Sequence, residues 1–159
     1  MKNIFRVIIS ILTVFFLASC QSKPVLGLNE EASLEETNEL PENPLLLHAI
    51  TSSIQYRDST MSTLYGNDMA FVYAGTHGDS HYPDGAVLYE VTWRQQADEQ
   101  WVGAKIPKKI IMIERVGFAK DGDAAYTVYK GDRLKKVENA AGDDRCMSAI
   151  CGQRMAVAP

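Results

Sequence analysis

Lysine is missing from the middle of this 159-residue sequence: none lies between Lys23 and Lys105. Basic residues nowhere form a stripe interleaved with aromatics, so a nucleic-acid-binding surface is not expected. Histidine is absent after His81, and cysteine is limited to Cys20, Cys146 and Cys151. No glycine-rich phosphate loop is visible. Ser62 has no evident base, and no Ser-His-Asp arrangement is suggested. There is no internal repeat.

What is present begins with a leader. Lys2 and Arg6 precede an apolar run from Val7 to Ala18. That run is shorter than the roughly 20 residues a spanning helix needs and suits a secretory signal. It ends in "LASC", Leu17 to Cys20, which resembles the lipobox of bacterial lipoproteins. The resemblance implies cleavage before Cys20 and acylation of that cysteine, giving a lipid-anchored chain in the bilayer. An ordinary signal peptide ending near a cysteine is the alternative. Gln21, rather than Asp, follows the cysteine; in Gram-negative lipoproteins this implies outer-membrane sorting, facing the periplasm.

Cleavage removes Lys2 and Arg6 and leaves 14 basic residues against 20 acidic ones, a net charge near −6. Six of those acids fall between Glu30 and Glu42, with Leu34 and Leu40 almost the only apolar residues among them. Residues 20–43 are therefore expected to form a lipidated, self-repelling acidic tether; a short surface helix over 30–40 is the alternative. Residues 44–159 are enough for one domain with one core.

Within that domain, "NPLLLHAITSSI" predicts a short helix, with Asn43 as N-cap, Pro44 in its first turn, and Leu46, Leu47, Ile50 and Ile54 at three- and four-residue steps. An extended segment is expected around Thr60–Tyr65. Asn67 is placed to cap a second short helix over 68–74, ended by Gly75 and Gly78. "YPDG" is a turn with Pro83 in second position. The strand after it alternates. Ala86, Leu88, Glu90 and Thr92 share one side; Val87, Tyr89, Val91 and Trp93 share the other. "RQQADEQ" is a polar connection, and "WVGAKIP" is a short strand stopped by Pro107. The longest strand is "KKIIMIERVGFA", with Ile110, Met112, Glu114, Val116 and Phe118 on one face. "KDGD" turns the chain into "AAYTVYKG". The tail from Gly142 is ambiguous. The expected fold class is α+β, a mainly antiparallel β-sheet with two short helices.

"TMSTLYGNDMA", "YPDGAVLYEVTW", "WVGAKIP", "ERVGF" and "YKG", in that order over Thr60–Gly131, resemble the cytochrome P-460 family domain. The resemblance implies an antiparallel sheet with helices packed around one pocket. The family's best-known members are periplasmic c-type haem proteins that oxidise hydroxylamine or bind nitric oxide. Three family features are missing here. The C-terminal Cys-x-x-Cys-His is replaced by Cys146, Cys151 and then Gly152. The cross-linking lysine, five residues beyond the glycine of "PDG", is replaced by Glu90. The distal arginine falls near Ser62, with Arg57 the nearest arginine.

The resemblance turns the face of Ser62, Leu88 and Glu90 toward the pocket. A carboxylate buried there would have a raised pKa or a donor beside it, and Arg115, Lys105 and Tyr129 are the candidate donors. A Glu90 at a sheet edge in water is the alternative. For Glu114, the plain expectation is a core-edge carboxylate paired with a lysine. His77, Asp79 and His81 put three possible metal ligands within five residues. A His-x3-His pair suits metal on a helix, but Gly78 and Pro83 oppose a helix there, leaving a polar loop. The aromatics Tyr65, Phe71, Tyr73, Tyr89, Trp93, Trp101 and Phe118 are expected in the core rather than stacked on a cofactor. Cys146 and Cys151 are the disulfide candidate, expected in an oxidising compartment; a bridge requires a turn between them, because five residues along a helix the side chains diverge. A degenerate haem-attachment site is the other reading.

No cofactor is expected, with haem the alternative, and no metal. Three functions remain open: a haem-free P-460-like lipoprotein binding a small ligand or an envelope protein, a redox protein holding haem or metal by other ligands, and a structural envelope component. Catalysis is not expected of the first or the third.

Overall fold

The structure, a computed structural model, describes residues 29–34, 39–120, 123–131, 133–138 and 143–156. The leader, the "LASC" stretch with Cys20, the tether residues before Asn29 and the centre of the "KDGD" turn lie outside the described residues. No helix among the described residues is long and apolar enough to cross a membrane.

Six strands form one antiparallel sheet in the order β1 to β6. They are β1 (His48–Gln55), β2 (Thr60–Gly66), β3 (Val87–Ala97), β4 (Lys105–Phe118), β5 (Ala124–Lys130) and β6 (Lys135–Val137). Each strand pairs with its neighbour in sequence. Helix α1 (Asp68–Thr76) bridges β2 and β3, and α2 (Asp143–Cys151) follows β6. The fold is α+β, as expected, but one of its two helices lies elsewhere than predicted.

The predicted helix after Asn43 is only a 3-10 turn over Pro44–Leu46, capped by Asn43 Oδ1, which accepts the Leu45 N–H at 2.9 Å. From His48 the chain becomes β1. The helical spacing of Ile50 and Ile54 misleads because Thr51, Ser52 and Ser53 favour the strand. Ser52 and Ser53 form cross-strand hydroxyl pairs with Thr63 and Ser62 at 2.8 and 2.9 Å. The second helix, α2, instead occupies the ambiguous tail, where Cys146 and Ile150, and Met147 and Cys151, recur at four-residue spacing.

Helix α1 starts where expected. Asn67 Oδ1 accepts the Ala70 N–H at 3.0 Å, and Asp68 sits in the first turn. Neither Gly75 nor Gly78 ends it; it runs to Thr76. The "YPDG" turn closes one residue later than predicted, by Ala86 N–H to Pro83 O at 3.0 Å, with Gly85 at φ +83°.

Two core clusters cover the two faces. Ile50, Leu64, Leu88 and Val116 on one face pack with Ala70 of α1 and Ile150 and Cys151 of α2. Tyr89, Val91, Trp93, Ile113 and Tyr129 pack on the other. Trp101, expected in the core, is instead exposed, because it falls in the turn between β3 and β4 rather than on a strand. The predicted alternation along β3 holds. Ile110 does not share the face of Met112. A register shift pairs Thr92 with Met112 but Trp93 with Ile110, and the extra residue turns Ile110 into the Trp93 cluster. A second irregularity, between Trp93 and Gln95, accommodates Pro107 inside β4. "WVGAKIP" is therefore not a separate strand: 101–104 are the turn, and Lys105 opens β4. β3 likewise runs on through most of "RQQADEQ" to Ala97.

The described part of the expected tether is not a free linker. A 3-10 turn over Glu30–Ala32 contacts β4, and Ala32, Leu34, Leu40, Leu45 and Leu47 pack on the Trp93 cluster. The Trp93 indole N–H donates to Ala32 O at 2.9 Å. The packed domain thus begins no later than Asn29. Residues 20–28 and 35–38 lie outside the described residues.

Candidate functional site

Antiparallel register puts Glu90 of β3 directly opposite Glu114 of β4, on the same face of the sheet. Ser62 sits one strand further, on β2, opposite Thr92. Its hydroxyl donates to Glu90 Oε1 at 2.8 Å and meets the Ser53 hydroxyl at 2.9 Å. The other Glu90 oxygen, Oε2, accepts from the Gln153 side-chain amide at 3.1 Å. Gln153 lies two residues beyond α2, so the C-terminal segment closes over this part of the sheet.

Glu114 is more deeply placed, at 8 % exposure, and accepts a hydrogen bond from the Tyr126 hydroxyl of β5. Burial raises its pKa above the usual carboxylate range. The Tyr126 hydrogen bond opposes that shift, the Glu90 charge adds to it, and Lys130 opposes it. Tyr126 is itself held well above the ordinary phenol value, by burial first and by its bond to Glu114 second; its hydroxyl also meets the Cys146 thiol. Two facing carboxylates, lined by two hydroxyls, an amide and a thiol, therefore form a half-buried acceptor site. It favours cations and hydrogen-bond donors and disfavours anions.

The predicted donors are not the real ones. Tyr129 belongs to the Trp93 face. Arg115 also lies there: its Nε donates to the Tyr89 hydroxyl at 3.1 Å. Lys105 pairs with Ala97 at the far end of β4. Strand alternation already separates Arg115 from Glu114, a signal the sequence contained. Gln153 carried none, because it reaches Glu90 only through the placement of the tail. Leu88, expected to line a pocket, is fully buried core. Glu114 has the Tyr126 hydroxyl as its hydrogen-bond partner, and the lysine expected beside it is represented by Lys130, two pairs further along β5.

The expected disulfide is not formed. Cys146 and Cys151 are free thiols on one continuous helix. Five residues along an α-helix amount to about 7.5 Å of rise, with side chains roughly 140° apart, beyond bridging geometry. Cys151 packs into the core, where burial raises its pKa, and Cys146 lies beside Tyr126.

His77, Asp79 and His81 do not converge on a metal. Asp79 Oδ1 accepts the Tyr73 hydroxyl at 2.5 Å and the His81 backbone N–H at 3.1 Å. The His77 ring stacks on Tyr73 at 4.1 Å between centroids. Among the described residues no group of three or more His, Cys, Asp or Glu is arranged to hold a metal ion. An open apolar groove of ≈ 480 Å³ runs along α1, lined by Met69, Val72, Tyr73, Thr76 and His77 among others. It shares no lining residue with the Glu90–Glu114 site.

Compared with known proteins, the chain matches no family model and no curated protein.

Proposed function

We propose that this chain is a lipid-anchored, extracytoplasmic lipoprotein, tethered to the outer membrane through acylated Cys20. Its α+β domain is cytochrome P-460-like, carries no covalent haem, and binds a small cationic or hydrogen-bond-donating ligand between Glu90 and Glu114. The observation that carries this reading is convergence. The positions that the family resemblance assigns to the distal arginine and the cross-linking lysine are Ser62 and Glu90, and they hydrogen-bond to each other at 2.8 Å. The tail that stands for the haem-attachment motif contributes Gln153 to the same carboxylate. Three separated stretches thus meet where the resemblance puts the pocket, with the haem chemistry replaced by a carboxylate network.

The residues present do not fit a covalently held haem. Gly152 stands at the position the resemblance gives the axial histidine, Cys151 is sealed in the core, and Glu90 stands where the resemblance puts the cross-linking lysine. Of the histidines, His48 pairs with Asp68 at 2.8 Å and His77 stacks on Tyr73.

The test is an NMR titration of the purified protein with methylammonium and guanidinium salts, following the Gln153 side-chain amide and the Glu114 carboxyl. Saturable shifts that vanish in Glu90→Gln are expected. No shift at either group, or a stoichiometric Soret band in the purified protein, would overturn the reading.

A further inference from the structure

Two hairpin tips stand together at one end of the sheet. The β1–β2 turn spans 56–59 and the β3–β4 connection spans 98–104; Gln95 N–H donates to Ser59 O at 3.0 Å and ties the two hairpins together. The longer tip is a built turn. Asp98 Oδ1 accepts the Gln100 and Trp101 N–H groups at 2.7 and 3.2 Å, and Ala104 N–H returns to Trp101 O at 3.0 Å. That turn holds Trp101 outward, 71 % exposed, beside a fully exposed Val102. Tyr56 on the shorter tip is 78 % exposed. None of the three belongs to either core cluster.

The chain also enters the domain at this end. Asn29, the first described residue, donates from Nδ2 to Pro107 O at 2.8 Å, and Pro107 pairs with Gln95. Cys20 is nine residues upstream of Asn29, at most roughly 30 Å of extended chain. Helix α1 stands at the other end of the strands, beyond Gly66.

We infer that this end is the face the domain turns to the phospholipid bilayer, with Trp101, Val102 and Tyr56 entering the boundary between headgroups and acyl chains. The inference rests on the lipoprotein reading for its tether but not for its surface chemistry. Tryptophan and tyrosine suit that boundary because each has an apolar body and a polar handle. Arg57, Arg94, Lys105 and Lys108 stand around the tips, against Asp58, Asp98, Glu99 and the nearby Glu30 and Glu31. That rim is close to neutral, so insertion of the apolar tips, rather than attraction to charged lipid, drives the docking. A short tether keeps the local lipid concentration high, so a weak surface affinity suffices.

The chain has two tryptophans, and the buried Trp93 serves as internal control. The full chain is reconstituted in phosphatidylethanolamine–phosphatidylglycerol vesicles, with and without lipids brominated near the top of the acyl chain. Roughly half of the tryptophan emission should be quenched, and Trp101→Phe should remove the quenching while leaving Trp93 emission unchanged. Absent quenching in protein that mass spectrometry shows to be acylated, and that floats with the vesicles, overturns the docking and leaves the anchor intact. If the chain proves unacylated, the anchor reading fails by itself. The same protein added to those vesicles still decides the docking: a blue shift of Trp101 emission supports it, and an unchanged spectrum overturns it.

Discussion

Glu114 sits in an environment that its residue type seldom occupies. It is buried, faces a second carboxylate, and has the Tyr126 hydroxyl to compensate. Because its pKa is raised in the folded state, folding takes up a proton in the window above the ordinary value of about 4.5. The stability it contributes is fully present below that value and is lost as pH rises through the raised folded pKa. Glu114→Gln keeps an acceptor for Tyr126 and removes the charge. The variant should therefore lose less stability than wild type between pH 4.5 and pH 8, read as denaturant midpoints across that range. Glu90→Gln should in parallel lower the Glu114 pKa in an NMR titration, since the Glu90 charge is one of its causes. Equal pH slopes for wild type and Glu114→Gln would mean that Glu114 is effectively in water.

At the level of elements, the junction of β2, α1 and β3 depends on Asn67. Its Oδ1 accepts the Ala70 N–H at 3.0 Å and the Val87 N–H at 3.3 Å, while its Nδ2 donates to Gly85 O at 2.9 Å. One side chain thus caps the helix and fastens the "YPDG" turn. Gly66, just before it, has no room for a side chain: an added Cβ would lie 2.8 Å from Ile50 Cδ1 and 2.9 Å from Ala70 Cβ. Asn67→Ala should cost about 1–2 kcal/mol in denaturant-derived stability, and Asn67→Asp should recover the cap without the Gly85 bond. A loss below about 0.5 kcal/mol in Asn67→Ala would show that the junction holds without it. This junction was legible in the sequence because a cap, a turn and an alternating strand are local patterns. The same local logic failed where pairing decides. β1 carries helix-like spacing but finds its partner in β2. Ile110 changes face through a bulge set by the register of β3. The tail forms a helix only because the first core cluster accepts Ile150 and Cys151. Of the site, Ser62, Glu90 and Glu114 could be singled out, whereas Gln153 and Tyr126 reach it only through tertiary placement.

For the molecule as a whole, the two faces of the sheet are covered by different means. Helices α1 and α2 close the face of Leu88. The acidic segment before β1 closes the face of Trp93. Charge density suggested a solvated tether, yet two of its acids are tied to the sheet: Glu39 Oε2 accepts the Lys136 N–H at edge strand β6 at 2.9 Å, and Glu42 Oε1 accepts the Tyr89 hydroxyl at 3.2 Å. Burial pushes the Tyr89 pKa up to about 12, so this hydroxyl stays a donor at any physiological pH. The leucines do the covering. Leu34 and Leu40, half-buried in the segment, pack on the Trp93 cluster. On a solvated tether, exchanging them for serine would change stability by less than about 0.5 kcal/mol. As a lid over the core, each exchange forfeits part of the roughly 1.5–3 kcal/mol of a fully buried leucine. Leu34→Ser combined with Leu40→Ser should therefore cost about 2 kcal/mol, seen as a lower denaturant midpoint. Brief proteolysis should then cut the segment before the strands. A midpoint within about 0.5 kcal/mol of wild type would return the segment to the tether and leave the Trp93 face to be covered by something else.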